Sequence, residues 1–326
     1  MTQPFMTQPR LLADIGGTNA RFAWQADAGA PITDAVTLSA AQFDTLAQAL
    51  RAALQQLGRP VPRHCAIAIA NPVLGDEVRM TNHHWSFSIS ALKAEFGFER
   101  LRVLNDFTAL ALAIPELKPE ELRLICGGNA QTEAPVALIG PGTGLGVSGL
   151  LPDGRGGWVA LQGEGGHVTL GGRTRREQQV LAWMEDRFGH ASAERAVSGQ
   201  GLVNIYEALV AIDGDAGARV PTAAEITTAA LNGSDARAGE SVHLFCAFLG
   251  TAAGNLALTL GALGGVYIGG GIVPRLGSFI ETSPFRARFE GKGRFIEYLA
   301  AIPVFAIHSS QSPALLGAAR ALDSDR

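Results

Sequence analysis

Short apolar runs closed by glycine punctuate the 326-residue chain, and each has the length and composition of a buried strand. The first, Leu11 to Ile15, meets Gly16-Gly17-Thr18-Asn19 and resumes as Ala20 to Trp24, which predicts a strand, a tight turn and a returning strand. Val136 to Ile139 repeats the pattern, with Gly140 to Gly144 as the turn and Leu145 to Leu150 as the return. Two hairpins of one kind predict two structurally related halves. Ala66 to Ala70, Leu101 to Asn105, Val266 to Ile268 and Val304 to Ile307 read as further strands; the third of these runs into Gly269-Gly270-Gly271 with no return strand in view. Helical spacing appears at Phe107 to Ile114, Glu177 to Phe188, Gly199 to Ile212, Thr222 to Leu231, 241–263 and Ser312 to Leu322. The last is expected to return to the first half. Strands and helices mixed throughout predict an α/β protein.

Val242 to Pro274 contains no Asp, Glu, Lys or Arg and is long enough to cross a bilayer. Interspersed glycines, His243 and Asn255 dilute its apolarity, and GGVYIGGGIV has the look of a strand and a turn, so a buried helix is expected and no membrane partner.

Length alone predicts two domains, and an apolar fraction of 47% with 17% charged residues excludes a disordered chain. A formal charge of −4, with no basic run beyond Arg173, Arg175 and Arg176, argues against nucleic acid as a partner. Cys65, Cys126 and Cys246 lie far apart in apolar surroundings, which excludes a disulfide framework and fits a reducing, cytoplasmic setting. The N-terminus repeats MTQP without an apolar core segment and reads as a disordered tail, or Met6 as a second start.

Glycine is in excess, 40 residues, and its positions carry the chemistry. Glycine turns can be hairpin geometry alone, or cradles of backbone N–H groups for phosphate, which a Cβ would block. The GxxxxGK[ST] phosphate loop is absent, and no GxGxxG dinucleotide fingerprint is expected. At residues 14–19 an acid, Asp14, precedes the turn and a hydroxyl, Thr18, lies in it; such an acid can hold magnesium, directly or through water, beside bound phosphates. Asn105-Asp106 stands where a strand ends and a helix begins, a ligand-facing position in open α/β sheets, although Asp106 can also simply cap the helix starting at Phe107. Gly163-Glu164-Gly165-Gly166-His167 has Glu-x-x-His spacing, but its glycines disfavour a metal-bearing helix; hydrogen bonding to a polyol or a plain surface turn remain. No GxSxG elbow supports a serine nucleophile.

Taken in order, DIGGTNAR at 14–21, LNDFT at 104–108, GTGLG at 142–146, GEGGH at 163–167, SAER at 192–195 and GGGIVPR at 269–275 resemble the bacterial glucokinases of proteobacterial type. The resemblance runs from about residue 11 to about residue 320. It implies an actin-like ATPase (ribonuclease H-like) fold, with residues 1–117 and 309–326 as a small α/β domain, 118–308 as a large one, and a central cleft that closes on substrate. It implies ATP and Mg²⁺ as cofactors, with Asp14, Gly16, Gly17, Thr18 and Asn19 as the first phosphate turn, Gly142 and Thr143 as the second, and Gly269, Gly270 and Gly271 near adenosine. Asp14 would serve magnesium. Asn105, Asp106, Glu164, His167 and Glu194 match glucose-binding positions and Asp106 the catalytic base. Glucose and MgATP are the implied partners, and a homodimer the implied assembly. The Cys-rich zinc motif of the related ROK kinases is missing from the sequence, so no structural zinc is expected. A kinase for another hexose, or a sugar sensor without catalysis, are the competing readings.

Overall fold

The computed structural model describes residues 8–309, apart from 216 and 218, together with residues 312–323. Residues 1–7 of the repeated MTQP segment lie outside the described residues. The chain divides into two compact units, one running to Leu117 and resuming at Ser309, the other Lys118–His308.

In the first unit the hairpin β1 (Arg10–Ile15) and β2 (Asn19–Gln25) continues into β3 (Ile32–Ser39) and α1 (Leu46–Leu57). There follow β4 (His64–Ile69), a small hairpin of β5 (Glu77–Arg79) and β6 (Ser86–Ser88), α2 (Ile89–Phe96), β7 (Arg100–Asn105) and α3 (Asp106–Ala113). The sheet order is β3-β2-β1-β4-β7, with β1, β4 and β7 parallel to one another and β2 antiparallel to both of its neighbours, β1 and β3. Side chains alternate across a strand. Leu11, Ala13 and Ile15 therefore join Leu46, Leu50, Trp85 and Phe98 on one face, while Leu12 meets Leu315, Ala318 and Leu322 of the C-terminal helix (Pro313–Asp323) on the other. That helix does return to the first half, against α3, where a Cβ on Gly317 would stand 1.7 Å from the Ala109 carbonyl oxygen. Sequence periodicity missed β3 because it is an exposed, largely polar edge strand without a core stripe.

The second unit comprises β8 (Leu122–Cys126), β9 (Val136–Pro141), β10 (Leu145–Pro152), β11 (Trp158–Ala160), α4 (Arg175–Phe188), α5 (Ala193–Ala196), α6 (Gly199–Ile212) and α7 (Ala223–Asn232). It closes with α8 (Ala236–Leu260), β12 (Val266–Ile268), the short helices α9 (Ile272–Leu276), α10 (Phe279–Thr282), α11 (Phe285–Glu290) and α12 (Ile296–Ala300), and β13 (Val304–Ile307). Its sheet runs β11-β10-β9-β12-β13-β8. The five strands β11-β10-β9-β12-β13 have the same directions as β3-β2-β1-β4-β7, so the related halves expected from the two hairpins are present in the topology.

Helix α8 is long and apolar enough to cross a membrane by length and composition, yet Val242, Phe245, Cys246 and Leu249 are buried in the core of this unit. Its N-cap is Asp235, which accepts from the Arg237 and Ala238 N–H groups, so the helix begins before the 241 of the sequence reading. The early turns carry Arg237 and Glu240, whose charges concealed the apolar stripe. Gly250 and Gly254 then let α11 approach: Cβ atoms there would stand 2.3 Å from Phe285 O and 2.6 Å from Phe289 O.

Candidate active site

Ile15, Ile69 and Asn105 are register partners at the carboxyl ends of three neighbouring parallel strands, β1, β4 and β7. Ligands of open α/β sheets gather at that edge, and two strand spacings, roughly 10 Å, separate its outer members. In the first unit Asp14 and its turn stand at the end of β1, Asn71 follows β4, and Asn105 ends β7 with Asp106 next to it as the first residue of α3. The turn is closed by Gly16 N–H to Asn19 O at 2.9 Å. Thr18 and Asn19 are exposed, and Asp14 is half-buried. Asp14 Oδ2 accepts from Ser312 Oγ at 2.6 Å and lies 3.9 Å from Arg21 Nη1. Gly17 needs its hydrogen: a Cβ would stand 3.0 Å from Asn82 O and 3.1 Å from Asn82 Cβ.

The capping role left open for Asp106 falls to its neighbour. Asn105 Oδ1 accepts from Phe107 N at 2.9 Å and Thr108 N at 3.2 Å, so Asn105 is the N-cap and Asp106 the first residue of α3. Phe107 N–H also reaches Asp106 Oδ1 at 2.9 Å, which ties the carboxylate to the positive end of the helix. Buried Asn71 supports this corner. Its Oδ1 accepts from both N and Oγ1 of Thr81 at 2.9 Å, and its carbonyl accepts from Asn105 Nδ2 at 3.5 Å. Asn71 follows the buried strand β4 and Asn105 closes β7 beside it, a signal the sequence reading passed over. Ser312 offered no such signal.

In the second unit the glycine turns come together. Gly269 N–H donates to Ile139 O at 2.9 Å, and a Cβ on Gly270, whose φ is +77°, would stand 2.3 Å from Pro141 O. Gly142 N–H donates to Gly144 O, and Gly142 O accepts from Gly199 N at 2.8 Å, so the first turn of the 14-residue helix α6 abuts the Gly142-Thr143 turn. A helix N-terminus attracts anions, which strengthens a phosphate reading for this turn. Leu145 joins three pieces. Its N–H donates to Glu194 Oε2 at 2.8 Å, and its carbonyl packs so closely on Gly166 that a Cβ there would lie 2.1 Å away. Glu194, expected only among sugar contacts, is thus bound to the backbone at the start of β10, directly after the second glycine turn. Glu164 and His167 are exposed on a 3-10 turn, with His167 N–H donating to Glu164 O at 3.0 Å. Gly271 is exposed before α9, so the glycine-rich run after β12 ends in a helix.

GxGxxG spacing does occur, at Gly144, Gly146 and Gly149. Two of these glycines lie on β10, and Gly149 is required by the close Val136 O and Leu260, so the spacing belongs to sheet packing and to no strand-to-helix phosphate turn. Among the described residues no group of three or more His, Cys, Asp or Glu side chains stands ready to hold a metal. One carboxylate and one hydroxyl, Asp14 and Thr18, are the hard oxygen donors of the first turn, and Asp14 Oδ1 has no hydrogen bond among the described residues. That donor set suits a magnesium ion carried largely by water and phosphate.

A family profile described as Glucokinase matches residues 11–325. The glucokinase of Chromobacterium violaceum is 55% identical over 311 residues, covering 95% of this chain and 88% of that one. The glucokinase of Aromatoleum aromaticum is 54% identical, covering 98% and 96%. Among solved structures, a glucokinase from an Antarctic psychrotroph superposes with a TM-score of 0.87 at 37% identity, covering 97% and 99% of the two chains. The architecture is the actin-like ATPase fold with two domains.

Proposed function

The chain belongs to the glucokinase family and phosphorylates glucose with ATP as donor, and we propose that the residues gathered in its two units divide the chemistry of that transfer. Asp106 is the base. It accepts the proton of the 6-hydroxyl as that oxygen bonds to the γ-phosphorus and the bond from phosphorus to the ADP oxygen breaks. The observation that carries this assignment is the placement of one carboxylate at the carboxyl end of β7, held at the start of α3 by the Asn105 cap and the Phe107 N–H.

Asn105, Glu164, His167 and Glu194 orient the sugar hydroxyls; an epimer would leave one of these groups unpaired, which is how such a pocket discriminates. Gly17, Thr18, Asn19 and Thr143 offer N–H and hydroxyl donors to phosphate, Gly16 and Gly142 shape the two turns with their own N–H groups, and Gly269 to Gly271 lie near the adenosine. Asp14 and Thr18 would hold magnesium, directly or through water, and the ion would neutralise charge on the phosphate oxygens. Positioning and charge stabilisation supply most of such a rate enhancement.

The setting is cytoplasmic and the assembly a homodimer in this reading. Three buried, unpaired cysteines support a reducing compartment, and the −4 charge favours small-molecule partners over nucleic acid. Coupled ADP release over a panel of hexoses tests the substrate, with Asp106→Asn alongside. Wild-type protein should turn over glucose well ahead of mannose, fructose and N-acetylated hexoses. The Asn variant should lose about 10²-fold or more in kcat while still binding glucose. Equal turnover of several hexoses would reassign the substrate, and near-normal kcat in a folded Asn variant would remove Asp106 from the mechanism.

A further inference from the structure

We propose that Ser312 is a positioning residue for Asp14, deciding which carboxylate oxygen is presented to magnesium; the inference rests on the magnesium role read for Asp14 above. Ser312 directly precedes the C-terminal helix, and its carbonyl accepts from Leu315 N at 3.1 Å in that helix's first turn. A serine at such a position ordinarily turns its hydroxyl back onto the helix N–H groups. Here the hydroxyl instead donates to Asp14 Oδ2 at 2.6 Å, across 298 residues of chain. That is the length of a charge-assisted O–H to carboxylate bond.

The alternative partner of Asp14 stands beside it. Register pairs Asp14 with Arg21 across β1 and β2, and Arg21 Nη1 lies 3.9 Å from the same Oδ2, outside hydrogen-bond range. The Arg21 side chain is half exposed and able to follow the carboxylate. The serine bond fixes Oδ2 and leaves Oδ1 without a protein partner among the described residues. Without the hydroxyl, rotation about the Cβ–Cγ bond would let Arg21 take the carboxylate out of the orientation that magnesium needs. The mount is firm: Arg10 binds Asp323 Oδ1 at 2.7 Å and Ala319 O at 3.4 Å, and Gly317 sits against Ala109, so the helix that delivers Ser312 is held on both sides.

The test compares full-length Ser312→Ala, Ser312→Thr, Asp14→Asn and the Ser312→Ala/Asp14→Asn double variant by calorimetry, measuring MgADP, ADP in the presence of chelator, and glucose. Ser312→Ala should weaken MgADP by about tenfold, the scale of one hydrogen bond to a charged group, and leave metal-free ADP and glucose affinities as in wild type. Ser312→Thr, which keeps the hydroxyl, should restore most of the loss. The double variant should bind MgADP no more weakly than Asp14→Asn alone. If Asp14→Asn weakens MgADP and Ser312→Ala does not, the role of Ser312 is overturned while that of Asp14 stands. Equal losses for metal-free ADP or glucose in Ser312→Ala overturn it as well, because they report a structural defect. An Asp14→Asn protein with wild-type MgADP affinity overturns both.

Discussion

Leu145 and Glu194 show how much one backbone N–H can decide. The carboxylate expected to bind sugar commits Oε2 to the Leu145 N–H, at the hairpin whose turn is Gly142-Thr143. Among the described residues the His167 side chain has no comparable tie, since its bond to Glu164 O is made by the backbone N–H. The two residues should therefore fail differently. Glu194→Ala strips the partner from a buried N–H and is expected to raise KM for glucose and for ATP, each by roughly tenfold or more. His167→Ala should raise KM for glucose alone. Steady-state kinetics with each substrate varied in turn checks the split, and an unchanged KM for ATP in Glu194→Ala would mean that the turn keeps its shape without the carboxylate. Sequence marked His167 directly, as an imidazole beside an acid, Glu164, among glycines, whereas Glu194 was marked only through the family resemblance of SAER at 192–195. It could not show that Glu194 is bound to the backbone of the second hairpin, since Glu194 and Leu145 are 49 positions apart.

Elements are legible where apolar spacing and caps agree. Thr174 and Glu177 form a capping box, and the helix predicted from Glu177 begins at Arg175, two residues earlier than the apolar pattern begins. Close helix contacts are not legible. Gly317 reads as a weak point in a helix, where Gly→Ala ordinarily stabilises by about 0.5–1 kcal/mol. The space decides otherwise: a Cβ would stand 1.7 Å from Ala109 O and 2.4 Å from Ala109 C, backbone atoms of α3 that cannot move without shifting Asp106 at its start. Gly317→Ala is expected to destabilise by about 1–3 kcal/mol, overpacking exceeding helix propensity, and to lower kcat through α3. Chemical denaturation and turnover of the folded fraction measure both, and a stabilised Ala variant would show that the two helices separate easily.

At the scale of the whole molecule the cysteines report on both cores. Cys65 is fully buried in the first unit; Cys126 and Cys246 are buried in the second. Burial holds each thiol protonated: the pKa of Cys65 is raised far above its usual 9, and those of Cys126 and Cys246 are pushed up to about 12, the carboxylate of Glu290 adding to burial at Cys126. Unfolded thiols ionise near 9 while folded ones do not, so this contribution to stability is complete below pH 9 and is lost as pH climbs from 9 toward 12. Native protein should resist alkylation at pH 8 and react at all three thiols once unfolded. Melting temperature should fall between pH 9 and 10.5 more steeply in wild type than in Cys65→Ala/Cys126→Ala/Cys246→Ala. Equal slopes would mean that other groups govern alkaline stability.

By itself the sequence determined the alternation of strands and helices, the two glycine hairpins, the chemistry available at Asp14, Asp106, Glu164 and His167, and the absence of a disulfide framework. These are local properties, set by periodicity, turn chemistry and residue type within a few positions of one another. Only tertiary structure decided that Asn105 caps α3 in place of Asp106, that Glu194 binds the backbone directly after the second glycine turn, that the first turn of α6 abuts Gly142, and that Ser312 grips Asp14. The capping choice turns on backbone angles at one junction, which identity alone leaves open between two good capping residues. The other three join residues 49, 57 and 298 positions apart, and each depends on strand register and helix packing that no short window of sequence contains.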